Sequence, residues 1–280
     1  MTHSCGISFN KHNHFSMSSD QLPASQNVHE VAAIFCYHKL CDVTLRNLES
    51  LKKHNPGVPV ILISNGGEVM KDSLNTRDLL KGKWKDYGPV YPFFKLRHLG
   101  YLWHLIKNGV PREYFWRNAD MPLYLAHDAA RQTISAKRYV FLEWDCYCNI
   151  ELSEFYKEVW DADLAAQHVI DSRKEPSWDH FDAKYSSHCP PKGQKCLFGI
   201  APLAAIMLSG QALDAICEEL KADTSWRLTF CELRVATIAK YLNLNIQQLP
   251  EQKRKFLRAA PPCWDFSEVN EAAVWHMVKN

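Results

Sequence analysis

No stretch of this 280-residue chain approaches the roughly 20 consecutive apolar residues that a bilayer-spanning helix requires. The opening MTHSCGISFNKHNHFSMSSDQLPASQN has no apolar signal core either, so neither export nor a transmembrane segment is expected and a cytoplasmic location is. An excess of one charge sign is missing as well: 33 Lys and Arg stand against 31 Asp and Glu, a net charge of +2, with no arginine stripe or lysine block. A nucleic-acid binder needs clustered cations facing phosphates, so that class is excluded. There are only 11 glycines, and none builds a phosphate-cradling fingerprint after the first strand, where the sequence reads CYHKLCD. That weakens the case for a nucleotidyltransferase. G-x-S-x-G does not occur and no Cys/His pair is set up as nucleophile and base, which sets aside a serine or cysteine hydrolase, Cys36 included. Cysteine is plentiful, at 10 residues, but without a leader these are expected to stay thiols. HCPPKGQKC, with His188, Cys189, Cys196 and nearby His180, lacks the close ligand pair of a zinc site.

Residues 1–28 are polar and aperiodic and are expected to form a loose arm, leaving 29–280 as one domain. VAAIFCY (Val31 to Tyr37) is a continuous apolar run of strand length. After it, Leu45, Leu48 and Leu51 recur at helical spacing until Asn55-Pro56-Gly57 stops the helix, and VPVILIS supplies a second strand. Strand, helix and strand within about 35 residues, with both strands apolar throughout, predict an α/β fold with a mostly parallel sheet covered on both faces by helices. FKLRHLGYLWHLIKNG is predicted as a packed helix, and another follows Asp120, which stands where an N-cap belongs. RYVFLEW is the next strand and DLAAQHVI another. CLFGIAPLAAIMLSGQALDAICEEL reads strand, turn, strand, helix, and CELRVATIAKYLNLNIQQLP reads helix, strand.

KRYVFLEWDCYCN carries two acids, Glu143 and Asp145, where a hydrophobic strand surfaces. Ligands of open α/β sheets bind beyond the carboxyl ends of the strands, so the position favours function. In an extended segment residues i and i+2 face the same side, and two carboxylates so placed suit one hard divalent cation bridging to substrate phosphates. A solvated acidic turn is the plainer alternative. Tyr37 and Asn65, at the ends of the first two strands, are expected at the nucleoside by the same placement rule. Cys146 and Cys148 flank the acids and are expected as core or supporting thiols. Arg131 and Arg138 are expected to cover the surface.

Taken together, E-W-D after a central strand, the opening IFCYHKLCDVTLRNLESLKKHNPGVPVILISNG and the order of elements resemble the GT-A class of nucleotide-sugar glycosyltransferases, a Rossmann-like single-domain fold. The resemblance implies transfer of a sugar from a UDP- or GDP-sugar donor to a hydroxyl acceptor on a glycan, lipid-linked glycan or protein, with Mn2+ or Mg2+ as cofactor. WRNADMPLY is similar to the N-x-D segment of that class and implies that Asn118 and Asp120 lie near the donor. FGIAPLAAIMLSGQALDAI resembles the acceptor-side segment and implies that Gly199 lies by the donor sugar, unless it serves only a turn. Glu232 stands where inverting members carry the catalytic acid, which accepts the acceptor's proton, although the helix macrodipole also favours a glutamate there. AVWHMVKN resembles a family ending in which the histidine completes the metal site, implying that His276 joins Asp145 and Glu143 on the metal and that Lys279 balances phosphate charge. Trp275 and Val278 would anchor this tail. In such an enzyme Trp178 and Asp179 suit acceptor-sugar stacking and hydroxyl binding, with loop anchoring by Trp178 as the alternative. A non-catalytic carbohydrate-binding or nucleotide-sugar-binding protein and a sugar nucleotidyltransferase are the competing functions.

Overall fold

The structure is a computed structural model; it describes residues 28–37, 41–64, 90–92, 119–120, 123–124, 126–127, 134–223, 225–226, 229–259 and 261–279. The expected helix at 94–109, Asn65, Asn118, Arg131 and most of the arm lie outside them. A seven-stranded sheet organises the chain. Its members are β1 (Val28–Tyr37), β2 (Val60–Ser64), β3 (Val90–Pro92), β4 (Ser135–Glu143), β6 (Leu164–Ala166), β9 (Ile206–Ser209) and β10 (Ile246–Gln248), in the order β10-β6-β9-β4-β1-β2-β3. β4, the strand that ends at the acids, is central. β1 pairs in parallel with β2 and β4, β2 with β3, and β6 with β10, while β9 alone runs antiparallel to its neighbours β4 and β6. The predicted α/β class with a mostly parallel sheet is what forms.

The unbroken apolar runs of β1 and β4 follow from burial on both faces. Ala32, Ile34 and Cys36 of β1 join Ile61, Ile63, Phe141 and Ile206 in one core. Val31, Ala33, Phe35 and Tyr37 turn the other way and join Leu62, Leu142 and Met207 in a second. This is the period-two alternation of a strand with no solvent face. Helix α1 (Asp42–His54) covers the second core with Leu48 and Leu51; α2 (Gly210–Ala222) and α3 (Cys231–Tyr241) cover the first. α1 has Asp42 in its first turn and Lys52, Lys53 and His54 in its last, a charge order that suits its dipole, and Gly57 after it takes a φ of +83° that favours glycine. Ser209 caps α2 by accepting from the Ala212 N–H at 3.0 Å.

DLAAQHVI does not run as one strand. Its first half, β6, stays in the main sheet, and after Gln167 the chain leaves it as β7 (His168–Asp171) to pair antiparallel with β8 (Phe198–Ala201). Four two-residue strands were too short to show periodicity in the sequence. β5 (Tyr147–Cys148) pairs antiparallel with β12 (Val274–Trp275), and β11 (Trp264–Asp265) pairs parallel with β13 (Val278–Lys279). Trp275 is 2% exposed and Val278 fully buried, so the tail docks through the two residues expected to anchor it. Every described cysteine is free, as expected without a disulfide framework.

Candidate metal and transfer site

Glu143 and Asp145 come together through a turn rather than a pleat. The Cys146 N–H donates to the Glu143 carbonyl at 2.9 Å, closing a tight turn over Glu143, Trp144, Asp145 and Cys146. The extended geometry expected of E-W-D is therefore corrected, and the turn carries Cys146 into the same neighbourhood. Buried polar residues of α1 hold this segment from behind. Asn47 donates to the Trp144 carbonyl at 3.0 Å and Ser50 to that of Cys148 at 2.7 Å, while Asn55 donates to Ile150 O and accepts from the Leu152 N–H. An amphipathic reading of α1 sees only its leucines. These amides and hydroxyls are what fix the motif against the helix.

The tail closes the site from the other side. The Val278 N–H donates to the Asp145 carbonyl at 3.0 Å, and a single bridge joins His276 to Leu257. His276 Nδ1 lies 2.5 Å from the carbonyl oxygen of Arg258, a contact only an N–H can make, so Nε2 faces the acids. It stands 3.5 Å from Asp145 Oδ1 and 4.0 Å from Glu143 Oε2. Asp145 Oδ1 is buried and has no hydrogen-bond partner, a state buried oxygens rarely occupy. Donor atoms of Asp145, Cys146 and His276 all lie within 4.8 Å of one another, and among the described residues this is the one group able to hold a metal ion. Two ligands of one ion at bonds of about 2.0–2.3 Å stand at comparable separations, so the donor set fits a divalent cation. Glu143, expected as a ligand, lies beside this group rather than in it.

Glu232 approaches from the first turn of α3. Its side chain is only 15% exposed and meets His180 Nδ1 at 3.0 Å. The His180 ring is boxed by Trp178, Phe230 and Tyr185, with centroids at 4.6, 4.4 and 5.2 Å. Burial, then the charge of Asp145, then that of Glu232 push the Glu143 carboxyl up to about 8, so the three acids share one field at the carboxyl end of β4. α3 is clipped to β8 by Thr237, which donates to Phe198 O at 2.9 Å and accepts from its N–H at 3.2 Å.

Other expected residues take different stations. Asp120 is fully buried, and its carboxylate receives Arg234 Nε at 2.7 Å, Arg234 Nη2, and the Tyr124 hydroxyl at 2.6 Å. Those contacts replace both the donor contact and the side-chain cap expected of it. Leu123, Tyr124, Ala126 and His127 are helical, as predicted after Asp120. Tyr37 is fully enclosed in the second core, which leaves its ring no surface for a nucleoside. Gly199 is a strand residue of β8, not a turn. A Cβ there would strike the ring of Trp178, so Gly199 exists to let the indole lie on the backbone. Trp178 packs against Phe181 as well, the loop-anchoring alternative, while Asp179 is exposed beside it. Lys279 pairs its backbone with Asp265. His188, Cys189 and Cys196 form no metal group among the described residues. Arg138 donates to Trp160 O at 2.7 Å.

No protein-family model matches the chain, and no curated protein matches it in sequence. Among solved structures it is similar to mouse xyloside xylosyltransferase 1 in its apo form, at 11% identity over 88% of this chain and 97% of that one, with a TM-score of 0.43. It is also similar to PaToxG glycosyltransferase, at 8% identity over 77% of this chain and 73% of that one, with a TM-score of 0.37. Likenesses this distant assign no role to any residue.

Proposed function

We propose that the chain is a metal-dependent glycosyltransferase that moves a sugar from a nucleotide-sugar to a hydroxyl acceptor with inversion. One observation carries the reading: Glu143 and Asp145 from the end of β4 meet His276 from the tail at the carboxyl edge of the central strand, and the charge of Glu232 on α3 is felt at Glu143. Asp145 and His276 would hold a divalent cation, with Glu143 oriented toward it or toward its water. When bound, that cation supplies positive charge against the donor diphosphate and its departure.

Glu232 then has the acceptor to itself. Its carboxylate takes the proton of the attacking hydroxyl while the nucleotide leaves from the opposite face of the anomeric carbon. His180 holds Glu232 in place, and the buried Asp120–Arg234 pair fixes the helix that bears it. Asp179, exposed next to the indole of Trp178, is the group we assign to acceptor hydroxyls. Asn65, Asn118 and Lys279 remain candidates for the donor side.

Thermal denaturation with UDP- and GDP-sugars, with and without manganese, tests the reading. Ligand at about 100 times its Kd adds about 2.7 kcal/mol to stability, a rise of several degrees. The expected result is a shift with one nucleotide family that needs the metal. No shift with any donor, or equal shifts with every bare nucleotide, overturns it.

A further inference from the structure

Two thiols flank the acidic motif, and they face different surroundings. Cys148 Sγ donates to Ile150 O at 3.2 Å and receives the Asn55 amide at 3.7 Å, so it belongs to the packing against α1. Cys146, the last residue of the turn, has its sulfur within 4.8 Å of the donor atoms of Asp145 and His276 instead. Beside it is the buried Asp145 Oδ1 that has no hydrogen-bond partner, and the His276 Nε2 whose direction is set by the bond from Nδ1 to Arg258 O. The set at this point is one carboxylate oxygen, one imidazole nitrogen and one sulfur, all three residues buried.

We propose that Cys146 is itself a ligand of this site and that its sulfur makes the site select a thiophilic divalent cation, of the zinc or cobalt kind, over magnesium. This inference rests on the metal-dependent reading above and extends it to the identity of the ion. Magnesium demands near-octahedral oxygen ligation and keeps its waters, so an imidazole and a sulfur in a dry pocket suit it poorly. Sulfur and imidazole favour the later first-row ions, and manganese stands at the weak end of that series. On binding, the thiol proton passes to solvent as the metal–sulfur bond forms, with no change of oxidation state. Glu143, 4.0 Å from His276 Nε2, would lie beside such an ion and could orient its water or a donor oxygen.

Cobalt reports sulfur ligation directly, because a thiolate bound to Co2+ gives an intense charge-transfer absorption in the near ultraviolet. The full chain, stripped with a chelator, is titrated with Co2+ alone, and binding is followed by calorimetry and by absorption together. The expected result is one ion bound per chain with the charge-transfer band. Cys146→Ser should lose the band, keep the fold by circular dichroism, and bind Co2+ at least tenfold more weakly while its Mg2+ affinity hardly moves. Binding of Co2+ to the native chain without the band removes Cys146 from the site yet leaves the metal-dependent reading standing. No binding of Co2+, Zn2+ or Mn2+ at all overturns both. A band that survives in Cys146→Ser and disappears in Cys148→Ser also overturns the assignment.

Discussion

His180 Nδ1 stands 3.0 Å from Glu232 Oε2, and the imidazole is wedged between Trp178 and Phe230. A carboxylate on the first turn of a helix would ordinarily swing in solvent. Here it lies against a ring packed among Trp178, Phe230 and Tyr185. Glu232→Gln should lower kcat by about 10²- to 10⁴-fold, the usual worth of a general base. His180→Ala should lower kcat about tenfold with the donor KM unchanged, and His180→Asn should recover part of it. Steady-state kinetics decide; an increase in donor KM with kcat intact would remove His180 from the positioning of Glu232.

Gly199→Ala tests the same arrangement from one layer further out. The added methyl group strikes the Trp178 ring, which must shift together with the His180 ring packed edge-on against it. Overpacking of this kind costs about 1–3 kcal/mol. The expected outcome is a folded protein with a lower melting temperature and a loss of kcat resembling that of His180→Ala. Full activity in Gly199→Ala would show that the glycine serves packing alone.

The Asp120–Arg234 pair is fully enclosed, with both side chains at zero exposure. Removing one partner of such a pair leaves a charge without its counterion and costs about 3–5 kcal/mol, whereas replacing both with apolar residues is often neutral. Asp120→Ala should therefore destabilise the protein by that amount in urea unfolding, and Asp120→Leu combined with Arg234→Met should recover most of it. Equal destabilisation by the single and double variants would contradict the pairing argument.

Glu143 offers a pH signature in metal-free protein. Its carboxyl is raised from the ordinary 4.5 to about 8, by burial first and by Asp145 and Glu232 next. Between those values the folded chain holds a proton that the unfolded chain has released, so this residue's stability contribution is complete below 4.5 and falls as pH rises toward 8. Glu143→Gln removes that slope. The melting temperature of the native chain should fall from pH 5 to pH 8 more steeply than that of the variant, and parallel curves would refute the shift.

Asp145→Ala should abolish transfer while the fold persists, because the carboxylate it removes makes no side-chain hydrogen bond through Oδ1 and its backbone carbonyl still accepts from Val278. Activity assays beside circular dichroism check both halves. Retained activity would dismiss the metal role of Asp145.

How much of this was legible beforehand depends on whether a residue's role leaves a mark on its neighbours in sequence. β1, β2 and α1 did, since strands buried on both faces are apolar without a break and a covering helix shows leucines at helical spacing. The carboxyl end of β4 was readable as the place for ligands by the topology rule alone. The local geometry of the acids was not. A turn, not an extended segment, brings Glu143 and Asp145 together and adds Cys146. His180 gave no signal, since its partner lies 52 positions away, the difference between residues 180 and 232. Asn47, Ser50 and Asn55 look like ordinary polar positions of a surface helix, yet they are buried. A strand-end placement rule put Tyr37 at the ligand and a resemblance in WRNADMPLY put Asp120 there, and neither says which face a side chain takes.

The docking of Val278 on the Asp145 carbonyl sets an order in time. The acidic turn leaves the ribosome long before residues 274–279, so the growing chain can fold its sheet while the pocket still lacks a wall and His276. The site cannot be completed until residues 274–279 have been made and laid down. A synthesis interrupted before residue 274 would leave the acidic turn without His276, and the ability to bind a metal would then report that this segment has docked.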